Sequence, residues 1–254
     1  MIYLSFDIEE FDMPKEYGFD IPFERQMSIS REGLTAILDL LQKHEAKATF
    51  FSTVVFAQNA SDLILRLLSE GHELASHTYY HSDFAIEHLR SSKEALESQF
   101  GVSIEGLRMP RMLEVSATDV SQAGYSYNSS VNPTFLPGRY NKLQVPRALF
   151  REGDLWQIPA AVSPWRIPLF WLSFHNFPLW YYKYLLVRTI RSLGYAALYF
   201  HPWEFINLHQ REFNFPSYVM RNTGEAMITR FDKLLGFAKE KNWKVERYKK
   251  LIEK

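Results

Sequence analysis

Four carboxylates crowd the start of the chain at Asp7, Glu9, Glu10 and Asp12. Such a cluster repels itself unless a cation or a shared proton relieves it, although a solvated acidic loop has the same look in sequence. His77 and His81 stand at i and i+4, a spacing that brings two imidazoles together on one face of a helical turn and suits zinc or a similar divalent ion. The acids and the pair together supply two imidazoles and a carboxylate, the ligand set of a catalytic metal with an open coordination position. Arg108 could orient a carboxylate and keep it ionised, or form an ordinary ion pair. His201 is a candidate general acid that Glu204 could tune, with a capped core histidine as the plain alternative. The chain has no cysteine, so thiolate ligands, cysteine nucleophiles and disulfides are excluded.

The elements that must position these groups follow from periodicity. Residues 2–6 form a β-prone run that ends on the acids. Leu34, Ile37, Leu38 and Leu41 repeat at helical spacing behind a capping Ser30. Further strands are expected at 46–51, 72–76, 104–107, 125–129, 155–160, 196–200 and 243–247. Helices are expected at 63–68 (stopped by Gly71), 84–100, 116–123, 179–193 and 224–241. Residues 132–151, with Pro133, Pro137, Gly138 and Pro146, read as a loop. Alternating strands and helices imply a parallel sheet, and their number favours a barrel in a single domain over residues 1–254. In such barrels chemistry sits where strands end, and that is where the candidates fall.

The ordered segments resemble those of NodB-type polysaccharide deacetylases, a carbohydrate esterase group. Gly71 through His81 (GHELASHTYYH) is similar to the family's second motif, and Ala46 through Phe51 (AKATFF) to its second strand. Leu107-Arg108-Met109-Pro110 resembles the third motif, and Gly124 through Ser130 the segment before the long middle loop. Tyr199 through Glu204 (YFHPWE) resembles the last motif, especially in a branch linked to exopolysaccharide and lipid-linked sugar modification. Five matches in order are a specific signal. The resemblance implies an α/β fold, a distorted (β/α)7 barrel. It also implies metal ligation by His77 and His81, catalysis by Asp7 as base and His201 as general acid, and Arg108 as the group that holds the base.

The first motif departs from the family pattern of two adjacent aspartates, because Ile8 follows Asp7. Glu9 is then the expected third ligand, with Glu10 behind it, and zinc the expected ion. Arg111 and Met112 are unusual after Pro110, and no fourth motif stands out, although Trp156 lies in a plausible region. The implied reaction is hydrolysis of an N-acyl group, most simply N-acetyl, from an amino sugar in a polysaccharide precursor or lipid-linked glycan. A deformylase or other non-peptide amide hydrolase on the same barrel is one alternative, and a carbohydrate-binding barrel without turnover another.

Composition adds limits. With 29 basic and 29 acidic side chains, no overall basic field draws the chain to nucleic acid. As written it has neither a secretory signal nor a spanning helix, so it is expected to act in the cytoplasm. Aromatic residues reach 16%, and no acid falls between Asp154 and Glu204. The stretch 165–191 could pack on the barrel, offer Trp165 and Trp171 to sugar rings with Pro110 and Trp203, or rest on the inner membrane surface. His175 reads as a surface histidine or a substrate contact.

Overall fold

Strand β1 (Ile2–Ile8) is buried at every position, as expected for a parallel strand covered on both faces. Its side chains divide by parity. Ile2, Leu4, Phe6 and Ile8 enter the main apolar core against the helices, whereas Tyr3 belongs to a second cluster inside the barrel. The computed structural model describes every residue except Arg139, 209–212, Asn214 and Lys254.

Seven further strands run parallel in the same sheet, six along its main path and one beside the start of β1. Helix α1 (Phe23–Lys43) leads to β2 (Thr49–Ser52), and α2 (Val54–Asn59) and α3 (Ser61–Ser69) lead to β3 (Glu73–Ser76). Helix α4 (His88–Phe100) precedes β4 (Gly106–Leu107), and α5 (Ala117–Gln122) precedes β5 (Tyr127–Asn128). A short antiparallel pair, β6 (Phe135–Leu136) and β7 (Tyr140–Asn141), interrupts the order. Then β8 (Phe150–Glu152) returns antiparallel beside β9 (Leu155–Gln157). Helices α6 (Trp171–Asn176) and α7 (Leu179–Leu193) lead to β10 (Ala196–Phe200), and β11 (Val245–Glu246) pairs with the start of β1.

The sheet order is β10-β1-β2-β3-β4-β5-β9-β8, of which β8 alone is antiparallel to its neighbour. Seven parallel strands thus curl into the expected distorted barrel. The gap between β9 and β10 is bridged by a hydrogen bond from the Ala161 N–H to the Ala197 carbonyl, at 2.8 Å.

Three expectations need correction. Helix α1 begins behind Pro22, and Ser30 lies buried within it, because the apolar face extends back to Met27. The fourth helix begins at His88 rather than at 84. The middle loop carries β6, β7 and β8, short pairings that prolines at 133, 137 and 146 do not forbid because they flank the strands. In the aromatic stretch, Phe174, Tyr182, Leu185, Leu186 and Ile190 enter the core, while Trp165, Trp180 and Tyr184 remain exposed. No helix among the described residues is long and apolar enough to cross a membrane.

Candidate metal centre and catalytic cleft

Register brings the candidates to one rim. Ile8 aligns with Ser52, Ser52 with Ser76, and Ser76 with Leu107, so Glu9, Thr53, His77 and Arg108 all stand one residue past the same level. On the other side Phe6 aligns with Phe200, which sets Asp7 level with His201. Parity directs Asp7 and His201 inward with Tyr3, Ala197 and Tyr199, away from the helices.

Glu9, His77 and His81 converge. Glu9 Oε2 lies 2.9 Å from His77 Nε2 and 3.3 Å from His81 Nε2, and all three residues are buried. The far nitrogens are already engaged. His77 Nδ1 is 2.8 Å from the Arg108 carbonyl oxygen, and His81 Nδ1 is 2.5 Å from Asp12 Oδ1. Both partners accept, so each Nδ1 donates, and in the neutral rings the Nε2 lone pairs face Glu9. Glu9 Oε2 has no hydrogen-bond donor. Three lone pairs meeting in a buried spot fit a divalent cation, with outer partners fixing each ring. Glu10 takes no part in this trio. It accepts the His81 N–H at 3.0 Å and the Thr53 hydroxyl at 2.7 Å, and so braces the loop that carries the second histidine.

The two histidines meet by a route other than a helical turn. Residues 77–81 form an irregular loop in which Thr78 has φ 66°, and the rings stack at 5.9 Å. The carbonyls of Thr78 and Tyr79 accept the first N–H groups of α2, so the loop is tied to a helix start instead of becoming one.

Beside this trio Asp7 Oδ1 accepts from Arg108 Nη1 at 2.6 Å. Arg108 is wholly buried, and donates further to the Ser129 carbonyl, the Ser129 hydroxyl and the Ser5 hydroxyl, each at 2.9 Å. Phe51, Tyr199 and Tyr248 box its guanidinium, with ring centroids at 4.2, 5.1 and 5.4 Å. Burial alone would raise the Asp7 pKa, but Arg108, His77 and His201 together hold it below the ordinary carboxylate value. Asp7 Oδ2 is 3.8 Å from His201 Nε2.

Glu204 supports His201 from behind. Its Oε1 accepts the His201 backbone N–H at 2.6 Å and faces Nδ1 at 2.9 Å, while its Oε2 is 2.8 Å from His175 Nε2. Burial opposes a charged His201, but Glu204, Asp7 and Glu9 outweigh it and raise its pKa above 6.5. His175 is therefore neither a surface group nor a substrate contact. It is 0% exposed and closes a buried His201–Glu204–His175 chain. At the Glu9–His77–His81 trio burial likewise opposes charge, yet Glu9 and Asp12 push His81 up to about 9, so a cation bound there would have to displace the proton from its Nε2.

The cleft over these groups has a volume of about 430 Å³. Trp171 and Trp203 line it and pack edge to face at 5.3 Å, with Phe170, Tyr199, Tyr140 and Met112 as further walls. Trp165 does not reach it, because it stacks on Tyr184 beside Arg188 on the outer surface. Pro110 is buried behind the rim, while its neighbours Arg111 and Met112 face the cleft. Trp156 lies outside the cleft lining, on β9, with the Arg151 guanidinium 4.4 Å over its ring. Residues missed in sequence include Asp12 as the partner of His81, and Arg111, which adopts φ 54° and binds Glu16 and Ser82. The acid cluster hinted at Asp12; nothing in the sequence marked the backbone turn at Arg111.

Comparison with known proteins bears on the family and the fold. A family model described as polysaccharide deacetylase matches residues 1–127. Chitooligosaccharide deacetylase of Bradyrhizobium sp. (strain ANU 289) is 43% identical over 49 residues, covering 19% of this chain and 22% of the relative. The chain spans about a quarter of the length of the curated relatives it matches first, between 22% and 28%. Two solved structures share the fold at low identity. Puue allantoinase superposes with TM-score 0.65 and 14% identity, over 98% of this chain and 88% of its own. Peptidoglycan deacetylase PdaC from Bacillus subtilis superposes with TM-score 0.54 and 15% identity, over 100% and 90%.

Proposed function

The chain belongs to the polysaccharide deacetylase family, and on that premise we propose that it is a metal-dependent hydrolase that removes an N-acyl group, most simply acetyl, from an amino sugar. The observation that carries the proposal is the pairing of Asp7 and His201 at 3.8 Å beside the convergent Glu9, His77 and His81. A divalent cation, proposed to be zinc, would be held by those three and would polarise the amide carbonyl and acidify water. Asp7, kept ionised by Arg108, takes the proton of the attacking water. His201, held protonated by Glu204, gives a proton to the departing amine as the C–N bond breaks. Trp171 and Trp203 pack against the imidazole of His201, and Trp171 offers aromatic surface to the sugar, while both narrow the cleft against bulk water. The proposed substrate is a glycan or glycan precursor.

Two measurements test this. Elemental analysis of the purified protein is expected to find a divalent metal that His77→Ala loses. Acetate release from N-acetylated amino sugars is expected to disappear with it. Unchanged metal content in His77→Ala overturns the ligand assignment, and formate or neither acid in place of acetate overturns the acyl group.

A further inference from the structure

His175 lies on α6, wholly buried, and both of its ring nitrogens point at acceptors. Nδ1 is 3.2 Å from the Val219 carbonyl oxygen, and Nε2 is 2.8 Å from Glu204 Oε2. The ring is packed in place. Trp171 meets it edge to face at 5.6 Å and Trp203 at 6.0 Å, the same two indoles that pack against His201. Its main chain is fastened to the segment that carries Val219. Asn222 Nδ2 donates to the His175 carbonyl at 2.6 Å, and Asn176 Nδ2 donates to the Tyr218 carbonyl at 2.8 Å.

A neutral imidazole has one N–H and can satisfy one acceptor. With that hydrogen on Nδ1, a bare Nε2 lone pair faces the carboxylate; with it on Nε2, a bare Nδ1 faces the carbonyl. Either contact is repulsive, and burial makes it costly. Glu204 is engaged as an ionised acceptor, because its Oε1 takes the His201 backbone N–H at 2.6 Å and faces Nδ1 at 2.9 Å, the short geometry of charge-assisted bonds. Both hydrogens therefore belong to His175. The other ionisable groups packed around α6 are turned elsewhere. Arg230, from the helix Glu225–Glu240, donates to the Phe174 and Phe177 carbonyls, and the Tyr182 hydroxyl of α7 donates to the Leu169 carbonyl. Glu204 is thus the counter-charge of His175 among the described residues, while His201 also faces Asp7 and Glu9.

We propose that His175 is a positioning residue for the deacylation: protonated on both nitrogens, it fixes the Glu204 carboxylate against His201 and offsets part of its charge. The proposal rests on the deacylase reading given above. Two effects follow. A carboxylate held at both oxygens cannot swing away from His201, so the general acid keeps its aim at the departing nitrogen. A carboxylate set between two cations also binds the proton of each less tightly than it would for one alone. His201 then gives its proton to the amine more readily than it would beside an uncompensated Glu204.

The test follows acetate release from an N-acetylated amino sugar against pH for the full chain and for His175→Gln, which keeps a donor for Glu204 but not the charge. The alkaline limb of the kcat/KM profile is expected to move to higher pH, because Glu204 then faces His201 uncompensated. Loss of a hydrogen bond between charged groups is expected to lower kcat about tenfold, with metal content unchanged. A limb that stays in place, or one that moves to lower pH as it would if Glu204 had merely come away from His201, overturns the proposal. Ring-nitrogen NMR of the histidine-labelled full chain requires neither a folded variant nor turnover. At the pH of the assay His175, assigned through bonds, is expected to carry a slowly exchanging hydrogen on each nitrogen. One bare nitrogen overturns the proposal and leaves the deacylase reading intact. Two N–H groups on His175, in a chain that frees no acyl group from N-acylated amino sugars, overturn that reading alone.

Discussion

At the level of single residues, adjacent carboxylates at the end of β1 do different work. Glu9 points to the two imidazoles, whereas Glu10 accepts the backbone N–H of His81 and the Thr53 hydroxyl. Asp12, two residues on, orients the ring of His81. Outer partners of this kind tune metal affinity about 10–100-fold, so Asp12→Asn is expected to weaken metal binding by that factor in a competition titration. Glu9→Gln is expected to abolish stoichiometric metal in elemental analysis. A further prediction concerns His201, which faces Glu204, Asp7 and Glu9. Glu204 helps raise its pKa, so Glu204→Gln lowers it and the imidazolium is lost at a lower pH. The alkaline limb of the kcat/KM profile should therefore move to lower pH, while metal content stays unchanged. The residues proposed to bear this chemistry could be picked out because their side-chain types are few and their order is distinctive. Partner choice was not. His175 reads in sequence as one more polar residue in an aromatic stretch, and only packing buries it against Glu204.

Among the elements, placement follows from strand parity and register, and much of it was readable in advance. The run 196–200 and the helix 179–193 coincide with β10 and α7, because clean apolar patterns bounded by Gly194 and Pro178 leave little freedom. The route from His77 to His81 was not readable, since a β-branched residue at φ 66° contradicts local preference and is imposed by the hydrogen bonds that the loop makes to α2. The close crossing of α1 over the turn after His201 was equally hidden. A Cβ added at Gly33 would collide with the carbonyl oxygen of Pro202. Overpacking of this kind costs about 1–3 kcal/mol. Gly33→Ala is therefore expected to lower Tm by roughly 3–10 °C in a thermal melt. It should also reduce kcat, because Pro202 carries the strain to His201, without altering metal content. A variant with native Tm and kcat would mean that α1 shifts freely, contrary to its contact with the turn.

For the molecule as a whole, the proposed chemistry and recognition draw on different parts of the chain. Asp7, Glu9, His77, Arg108 and His201 all sit on or just beyond parallel strands, held by the packed barrel. The walls of the cleft come from the connections, among them Leu136, Pro137 and Tyr140 of the β6–β7 hairpin. The sequence announced the barrel through repeated strand–helix units, but it gave no sign of this hairpin, whose two-residue strands are too short to carry a period. Phe135, Leu136 and Tyr140 belong to none of the apolar core clusters, and Phe135 is 53% exposed. Removing the hairpin should therefore spare the fold while opening the cleft, because Leu136, Pro137 and Tyr140 form part of its wall. Replacing residues 135–141 with a glycine–serine linker is expected to leave Tm and bound metal near those of the parent chain. On the proposed substrate class, KM should rise at least tenfold, since the lost wall would both contact a bound sugar and exclude water from it. A fall in metal content with unchanged KM would show the opposite division of labour, with the hairpin bracing the metal trio and the sugar bound elsewhere.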